Sequence, residues 1–422
     1  MTALRRPAPR RRRSLHRVLL IVVALLAPLP VPAQESGPSS DLHAAIERGG
    51  TVTLSGGDHG ALDLRNRTFD PGNPLVLRAA DPADPPRFSG LLLARTANVV
   101  LEGLVLDYRF APGDPPHLRP FRIENSSGIV LRDLLIDGDV ARGTGTGSDG
   151  FPTAFGLGIT GSTGVTLERS EIRGFYRGIV VGTSTDIVVR GNDIHALRMD
   201  GMNFAQVKGV AIEDNWIHDF DRSVDSADHA DMIQFWTNGT TAPSEDIVIR
   251  GNLLNSGRGA YTQSIFMRND LVDRGLAGPE MFYRNIVIEN NFILNAHLHG
   301  IAVGETDGLA IRNNTVVRNP LSEGAQDNPP LWNPRISVSP ASRDVAIERN
   351  VVSRLGGPEA QPDWVVRDNV FVQDEGRMRP NFYGTVFVGG DPRDPASFMP
   401  RPGGPLDGRD LGAPIPRETP LR

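Results

Sequence analysis

The 422-residue chain has no cysteine and only one lysine, Lys208. Without cysteine it forms neither disulfide bonds nor thiolate metal sites. Its positive charge is carried almost wholly by arginine, and seven of the arginines lie in the first 17 residues. These absences exclude disulfide-rich secreted scaffolds and cysteine-ligated zinc proteins.

The N-terminus has the three parts of a secretory signal. A basic start extends to Arg17, an apolar run follows from Val18 to Leu26, and a small-residue exit ends at Ala33. We predict a signal peptide at 1–33, with Arg12-Arg13 compatible with a twin-arginine signal, and a periplasmic or secreted protein. An uncleaved membrane anchor is the alternative, but a span usually needs roughly 20 apolar residues.

Loss of this segment would leave 37 basic side chains against 50 acidic ones, a net charge of about −13. Nucleic-acid binders normally present a basic face, so this balance argues against nucleic acid as a partner. No membrane contact is expected after cleavage, and we expect the mature protein to act as a monomer.

A short β-branched strand followed by a turn, and often by asparagine, recurs nine times. The first apolar positions of the copies are Val99, Ile129, Val165, Ile187, Val210, Ile247, Ile286, Leu309 and Val345, with a basic period near 22 or 23 residues. Strand-sized units at such a period indicate a β-solenoid. Asparagine suits tight bends, so stacked asparagines with a structural role are expected.

The organisation that follows is a single parallel β-helix domain at 34–374, preceded by the signal. Ser39 to Arg48 has the pattern of a short amphipathic helix that could cap the first coil. Three insertions, at 137–152, 219–227 and 269–281, are expected to form loops on one face. The Pro- and Gly-rich tail at 375–422 is expected to pack along the coil.

Four segments between 198 and 303 each carry a polar pair one residue apart, ahead of an apolar strand. Aligned as successive coils, they place Arg198, His229, Tyr261 and His297 in one column, and Asp200, Asp231, Gln263 and His299 in the next. Neighbouring strands lie about 4.8 Å apart, so these side chains would form one polar wall. Asn203 and Gln234 follow on the same strands.

The segments 50–54, 74–79 and 99–104 resemble the start of right-handed parallel β-helix polysaccharide lyases of the alginate lyase and chondroitinase B type. The later repeats are similar to the wider group that includes pectate lyases, mannuronan epimerases and polygalacturonases. His299-Gly300-Ile301 also resembles the polygalacturonase histidine strand, and Met199-Asp200-Gly201 its first aspartate strand. The likeness covers about residues 40 to 372 and implies an all-β, single-stranded, right-handed parallel β-helix. No lysine lies between Ser264 and Arg268, where the alginate lyase type has its catalytic lysine.

Elimination or C5 epimerisation of a uronate polysaccharide is the first hypothesis for the wall. Both reactions remove a weakly acidic proton beside a carboxylate, and a cation or donor stabilises the developing charge. His229, Tyr261, His297 and His299 could move the proton. Arg198 and Arg268 could bind the carboxylate through paired hydrogen bonds. Asp200, Asn203, Asp231, Gln234 and Gln263 would complete the substrate-binding set.

Two other classes remain open. A glycoside hydrolase of polygalacturonase type would use Asp200 and Asp231 across the glycosidic bond, at about 6.5 to 9.5 Å for inversion. The third class is a glycan-binding protein without turnover. A purely structural role for each polar residue is the plain alternative, although polar ladders cost desolvation unless they serve a purpose.

No metal ligand is assigned, and no cofactor is required by the residues. Calcium is the one cofactor considered, because it prefers oxygen ligands. Asp219, Asp221, Asp225 and Asp228 could supply them, or could form a solvated loop.

Overall fold

A computed structural model describes residues 40–222, 228–259, 261–319, 321, 333–357, 361–374, 381–392 and 394–415. Strands dominate these residues and assemble into three long parallel sheets of 12, 12 and 11 strands. Within each sheet a strand pairs with the third strand before it and the third after it, as successive turns of one coil require. The predicted parallel β-helix is therefore confirmed.

The strands of the first sheet are Thr51–Leu54, Leu75–Ala79, Ala97–Glu102, Ser127–Arg132, Thr163–Glu168, Thr185–Arg190, Lys208–Glu213, Glu245–Arg250, Tyr283–Glu289, Thr306–Arg312, Arg343–Glu348 and Trp364–Arg367. Those of the second are Gly57–Asp58, Pro86–Phe88, Val105–Asp107, Leu135–Asp137, Glu171–Arg173, Asp193–His195, Trp216–His218, Leu253–Asn255, Phe292–Asn295, Thr315–Arg318, Val351–Val352 and Val370–Phe371. Those of the third are Ala61–Arg65, Gly90–Ala94, Phe121–Glu124, Phe155–Thr160, Arg177–Gly182, Met202–Ala205, Ala230–Trp236, Thr262–Met267, His299–Val303, Arg335–Val338 and Leu355–Gly356.

The nine repeats found in the sequence are nine consecutive strands of the first sheet. Their first apolar residues pair with one another without a break, from Val99 opposite Ile129 to Leu309 opposite Val345. Alternate side chains point inward, so these positions are buried in one continuous core with the inward residues of the other two sheets. Each coil thus buries its apolar face against its neighbours.

Buried asparagines form a ladder where the first sheet turns into the second. Its members are Asn192, Asn215, Asn252, Asn291, Asn314, Asn350 and Asn369. Each Nδ2 donates to the Oδ1 of the next member at 2.9 to 3.0 Å, up to Asn350. The same amides also donate to strand carbonyls, which satisfies backbone that the turn leaves unpaired. The predicted structural role of the asparagines is confirmed.

The N-terminal helix spans Ser40–Arg48 and directly precedes the first strand. Its buried residues Leu42 and Ile46, four positions apart, join the core of the coil. This places an amphipathic helix beside the first coil, as the sequence predicts. The predicted signal peptide lies outside the described residues.

The insertions adjoin the third sheet. Residues 137–152 and 219–227 lead into its strands, although 223–227 lie outside the described residues. Residues 269–281 follow one of its strands and contain the α-helix Asp270–Asp273 and the 3-10 helix Pro279–Met281. A further insertion at 108–120, which the sequence analysis did not single out, also leads into this sheet. The outer face of the third sheet is therefore flanked by loops.

The C-terminal segment contains the short helix Tyr383–Val386 and the 3-10 helix Pro395–Phe398. Its buried apolar residues Val386, Phe387, Phe398 and Leu406 form a second core with outward residues of the second sheet, such as Phe292. The outer face of the second sheet is covered along these coils. None of the helices in the described ranges is long and apolar enough to cross a bilayer.

Candidate active site

The outer face of the third sheet carries a row of polar side chains, one from each of six successive coils. The row consists of Arg177, Asp200, Asp231, Gln263, His299 and Arg335. Asp231 is directly opposite Gln263, and His299 opposite Arg335. The predicted column from Asp200 to His299 therefore has the register that the alignment proposed. At about 4.8 Å a step, the row is roughly 24 Å long. We call it the polar row.

The centre of the polar row is a pair of aspartates, Asp200 and Asp231, with 0% exposure. Asn203 Nδ2 donates to Asp200 Oδ2 at 2.9 Å, and Gln234 Nε2 donates to Asp231 Oδ2 at 2.6 Å. The backbone N–H of Asp231 donates to Asp200 Oδ1 at 3.1 Å. Arg177 Nε lies 3.1 Å from Asp200 Oδ2. The pair is thus contacted by the side-chain amides of Asn203 and Gln234 and by the guanidinium of Arg177.

Burial raises the pKa of both carboxyl groups. The pKa of Asp231 is raised furthest, because the neighbouring Asp200 charge adds to the effect of its burial. The Arg177 charge and the hydrogen bond from Asn203 offset the burial of Asp200. Burial and the proximity of the two carboxyl groups thus both favour the neutral form of Asp231. Oδ1 of Asp231 is buried and has no protein partner.

This burial corrects part of the predicted binding set. Asp200, Asn203 and Asp231 are fully enclosed, so they do not contact a substrate directly in this conformation. Gln234 and Gln263 are each 8% exposed, so they reach the surface where the aspartates do not. The sequence placed these groups in the correct row but did not reveal which of them form the surface.

The neighbouring column begins with an arginine whose predicted role is wrong. Arg198 is buried, and its Nε and Nη2 donate to Asp228 Oδ2 at 3.0 and 2.8 Å. Tyr176 donates its hydroxyl to the other oxygen of Asp228 at 2.8 Å. Arg198 therefore stabilises the loop that leads into the next strand and is not free to bind a substrate carboxylate.

The other members of that column are more accessible. The His229 side chain is 52% exposed, and its Nε2 lies 3.5 Å from Asp231 Oδ2. Tyr261 is half-buried beneath Arg222, whose guanidinium carbon is 5.1 Å from the ring centroid. Both side chains remain candidates for proton transfer beside the aspartate pair.

Two neighbouring histidines occupy the next coil. The backbone N–H of His299 donates to His297 Nδ1 at 3.1 Å, and the ring centroids are 5.2 Å apart. Burial lowers the pKa of His297 to about 3, with the charges of His299 and Arg222 contributing. Burial and the charge of Arg335 lower that of His299 to about 4. Both rings are therefore neutral at neutral pH and retain a lone pair that can accept a proton.

Arg268 pairs with acidic side chains of the insertion that follows it. It lies five positions beyond Gln263 along the chain, just after the Thr262–Met267 strand. Its Nε donates to Asp273 Oδ2 at 2.9 Å and is 3.6 Å from Asp270. Arg268 nevertheless lines a cavity together with Phe266 and Arg335, so its catalytic role stays a prediction.

The sequence analysis missed Arg177 and Arg335, the two ends of the polar row. The segment Arg177-Gly178-Ile179 has the same polar, small, apolar pattern as Asp200-Gly201-Met202 and His299-Gly300-Ile301. Glycine recurs there because a Cβ on Gly178 or Gly201 would lie within 2.6 Å of a carbonyl oxygen of the next coil. This pattern could have extended the alignment to Arg177.

Aromatic side chains gather at the Arg177 end. Phe155 and Tyr176 stack with centroids 6.1 Å apart, and His117 packs against Tyr176 at 4.9 Å. The guanidinium carbons of Arg119 and Arg177 lie 5.2 and 5.4 Å from the Phe155 centroid. This end of the polar row therefore combines cationic side chains with apolar ring surface.

The aspartates considered as calcium ligands have different partners. Asp219 pairs with His218 at 2.7 Å, Asp228 pairs with Arg198, and Asp225 lies outside the described residues. Within the described ranges, no group of three or more histidine, aspartate or glutamate residues has the arrangement of a metal site. Calcium binding stays a prediction.

Comparison with known proteins addresses the fold. A family model for the right-handed β-helix region matches residues 153–264. The chain is a right-handed parallel β-helix. No curated protein sequence matches it. The resemblance to right-handed β-helix lyases and epimerases is confirmed at the level of the fold.

Solved β-helix structures resemble this one at low sequence identity. The Dettilon tailspike protein superposes with a TM-score of 0.53 at 13% identity, over 79% of this chain and 61% of the tailspike. The chain therefore spans about three fifths of the tailspike's length. The A-module of an Azotobacter vinelandii mannuronan C-5 epimerase has a TM-score of 0.41 at 16% identity, over 82% and 98% of the two chains. A Paenibacillus alginate lyase has 0.43 at 11%, over 79% and 97%.

Proposed function

We propose that this β-helix is a carbohydrate-active enzyme that binds a uronate-containing polysaccharide along the polar row and removes the proton beside a carboxylate. The outcome would be β-elimination or C5 epimerisation. One observation carries the proposal: on the outer face of one sheet, His299, whose pKa is lowered to about 4, lies between the buried aspartate pair and Arg335, with His297 beside it. The mannuronan epimerase and alginate lyase folds named above make the same substrate class reasonable.

Each part of the row would have a distinct task in that reaction. His299 or His297, neutral before substrate binds, would accept the C5 proton. Arg335 would hold the polymer beside the histidines through a carboxylate. His229 and Tyr261 would return a proton to the leaving oxygen or to the opposite face of C5.

The low pKa of the histidines fits an anionic substrate. A carboxylate bound beside His299 would favour its protonated form, and would therefore raise the pKa of the ring when the base is needed. A neutral sugar would not have this effect. The lowered histidine pKa values in the polar row thus suit a uronate better than a neutral polymer.

Hydrolysis is the second candidate, and the aspartate pair favours it. A carboxyl group with a raised pKa next to an ionised one is the arrangement that glycosidases use for acid catalysis. However, both aspartates are fully buried and hydrogen-bonded to Asn203 and Gln234, so hydrolysis would require the side chains that enclose them to move away. Binding without turnover is the third outcome.

One experiment separates the three. The purified protein would be incubated in D₂O with a panel of polyuronates and neutral polysaccharides, and the products read for ultraviolet absorbance, reducing ends and deuterium at C5. Elimination gives the unsaturated chromophore, epimerisation gives deuterium without cleavage, and hydrolysis gives reducing ends alone. The proposal predicts chromophore or deuterium that is lost in His299→Gln. Reducing ends without either would refute it.

Export is part of the same proposal. We infer that the first 33 residues direct the chain out of the cytoplasm and are then removed, leaving a soluble monomer whose partner is the polysaccharide. N-terminal sequencing and size-exclusion chromatography of the protein recovered from the periplasm or medium would test this. Activity after chelation, compared with activity after added Ca²⁺, would test the calcium option.

A further inference from the structure

A cavity of about 380 Å³ adjoins the polar row on the side beyond His299. It is lined by Phe266, Glu305, Arg335, Ser337 and Ser339, among others. This volume lies within the range of small-ligand sites. Arg335 belongs both to the row and to the cavity, so the two spaces are continuous.

Two arginines line this cavity, and they differ in their partners: Arg268 pairs with Asp273, which also lines it. Arg335 has no carboxylate within salt-bridge distance among the described residues. By contrast, most arginines on the outer face of the first sheet form such pairs. The other charge acting on Arg335 is that of a further arginine, Arg354. Two guanidinium groups near each other repel, so an anion bound between them would be favourable.

The same cavity also contains a carboxylate oxygen without a donor. Glu305 is only 9% exposed, and its Oε1 accepts a hydrogen bond from the Ser339 hydroxyl at 2.7 Å. Its Oε2 is buried and accepts no hydrogen bond from any residue that the structure describes. Glu305 and Arg335 do not form a salt bridge with each other among the described residues. A buried acceptor without a hydrogen bond is costly, so a small rotation of the Glu305 side chain that lets this oxygen accept from a bound ligand would be favourable.

The shape of the cavity depends on a glycine in the next coil. Gly356 pairs with Ser337, and a Cβ there would lie 2.9 Å from Ser337 Oγ and 3.3 Å from Arg335 Nε. The absence of a side chain leaves room above the guanidinium. On the opposite side Phe266 is half-buried and meets the His299 ring edge-on at 4.9 Å, so an aromatic ring borders both the cavity and the histidine.

We propose that this cavity is a subsite for a second uronate residue of the same polysaccharide, next to the one whose proton is removed. Arg335 binds its carboxylate, Glu305 accepts a hydrogen bond from a sugar hydroxyl, and Phe266 packs against the ring. A sugar acid carries an anion that can pair with Arg335 and hydroxyl groups that can donate to Glu305. The choice of polyuronate as ligand rests on the proposed function.

The test uses the mature chain and defined uronate hexamers, each compared with its carboxyl-reduced neutral form. Binding is measured by calorimetry for wild type, Arg335→Gln, Glu305→Gln and Gly356→Ser. The matched control is Arg65→Gln, an exposed arginine on the third sheet at the far end of the coil. Arg335→Gln should weaken binding of the acidic hexamer by about 10- to 100-fold and leave the neutral form unchanged.

The other variants separate charge from shape. Gly356→Ser keeps the charge of Arg335 but fills the space above it, so it should weaken the acidic hexamer as well. Glu305→Gln should weaken both forms, because the hydroxyl acceptor serves either. Where turnover occurs, these changes should raise KM with kcat little altered, as loss of uniform binding does.

The outcomes distinguish this subsite from the proposed reaction. Arg335-dependent binding of acidic hexamers without C5 exchange or cleavage would support the subsite and refute the reaction. Turnover with Arg335→Gln and Gly356→Ser indistinguishable from Arg65→Gln would support the reaction and refute the subsite. Equal affinity of wild type for acidic and neutral hexamers would also overturn the subsite.

Discussion

The neutral histidines of the polar row make a quantitative prediction about stability. We consider the replacement His299→Gln, which keeps a polar side chain but removes the titrating ring. In the folded protein the pKa of His299 is lowered to about 4 from an ordinary value of 6.5, and that of His297 to about 3, chiefly by burial. In the unfolded chain both rings titrate normally.

The sign follows from proton counting. Between pH 6.5 and about 4 the unfolded chain binds a proton at His299 and the folded chain does not, so the free energy of unfolding falls as the pH falls. Each pKa unit corresponds to about 1.4 kcal/mol, which gives roughly 3 kcal/mol for His299 across this window. Above pH 6.5 the contribution is constant, and below pH 4 it no longer grows.

The assay is urea unfolding followed by tryptophan fluorescence at pH 7, 6, 5 and 4. Relative to wild type, His299→Gln should gain about 3 kcal/mol in free energy of unfolding between pH 7 and pH 4. His43→Gln, at an exposed position of the N-terminal helix, is the control. The difference between variant and wild type removes the contribution of the many carboxyl groups.

A pH-independent difference between His299→Gln and wild type would refute the reasoning, because it would mean that the folded ring titrates as freely as the unfolded one. The proposed role of a neutral histidine as proton acceptor would then lose its basis. If the reasoning holds, the acidic limb of kcat/KM should lie well below pH 6.5.

Three further predictions concern the groups around the row. Asp231→Asn retains an oxygen that can accept from Gln234 Nε2, so elimination or exchange should fall by less than about tenfold, whereas a loss of 10² to 10⁴ in cleavage would favour hydrolysis with Asp231 as the acid. Arg198→Met removes the buried cation that pairs with Asp228 and should lower the free energy of unfolding, measured in urea, by about 3 to 5 kcal/mol with KM little changed. A raised KM at full stability would instead support a substrate role for Arg198. Asn252→Ala removes four buried side-chain hydrogen bonds between coils and should lower the free energy of unfolding by at least about 3 kcal/mol. The measurement is urea unfolding, with the exposed Asn238→Ala as control. Equal unfolding midpoints for the two variants would show that the asparagine ladder adds no stability.

Much of the fold could be predicted because the coil repeats a local rule. Alternating β-branched residues followed by a turn identify each strand of the first sheet, and a recurring period implies that they stack. Val165 and Ile187, 22 positions apart, are opposite each other for this reason. The insertions that interrupt the period did not hide it, because they occur at the edges of the third sheet.

The polar row was only partly predictable. Once the repeat was recognised, the register of Asp231 and Gln263 followed from counting residues. Arg335 was missed because the segment before it, 319–334, breaks the spacing on which the count depends. No feature of the sequence distinguishes Arg335, which lacks a partner, from Arg198, which is paired.

The sequence by itself determined the all-β coil, the inward and outward sides of its strands, and the order in which polar residues follow one another along one face. These properties depend on short-range periodicity, which each strand carries in its own residues. Only the tertiary structure decided which polar groups are buried, paired or free, because burial and ion pairing depend on side chains contributed by other coils and by loops. The enclosed Asp200 and Asp231, the neutral histidines and the unpaired Arg335 are consequences of that packing.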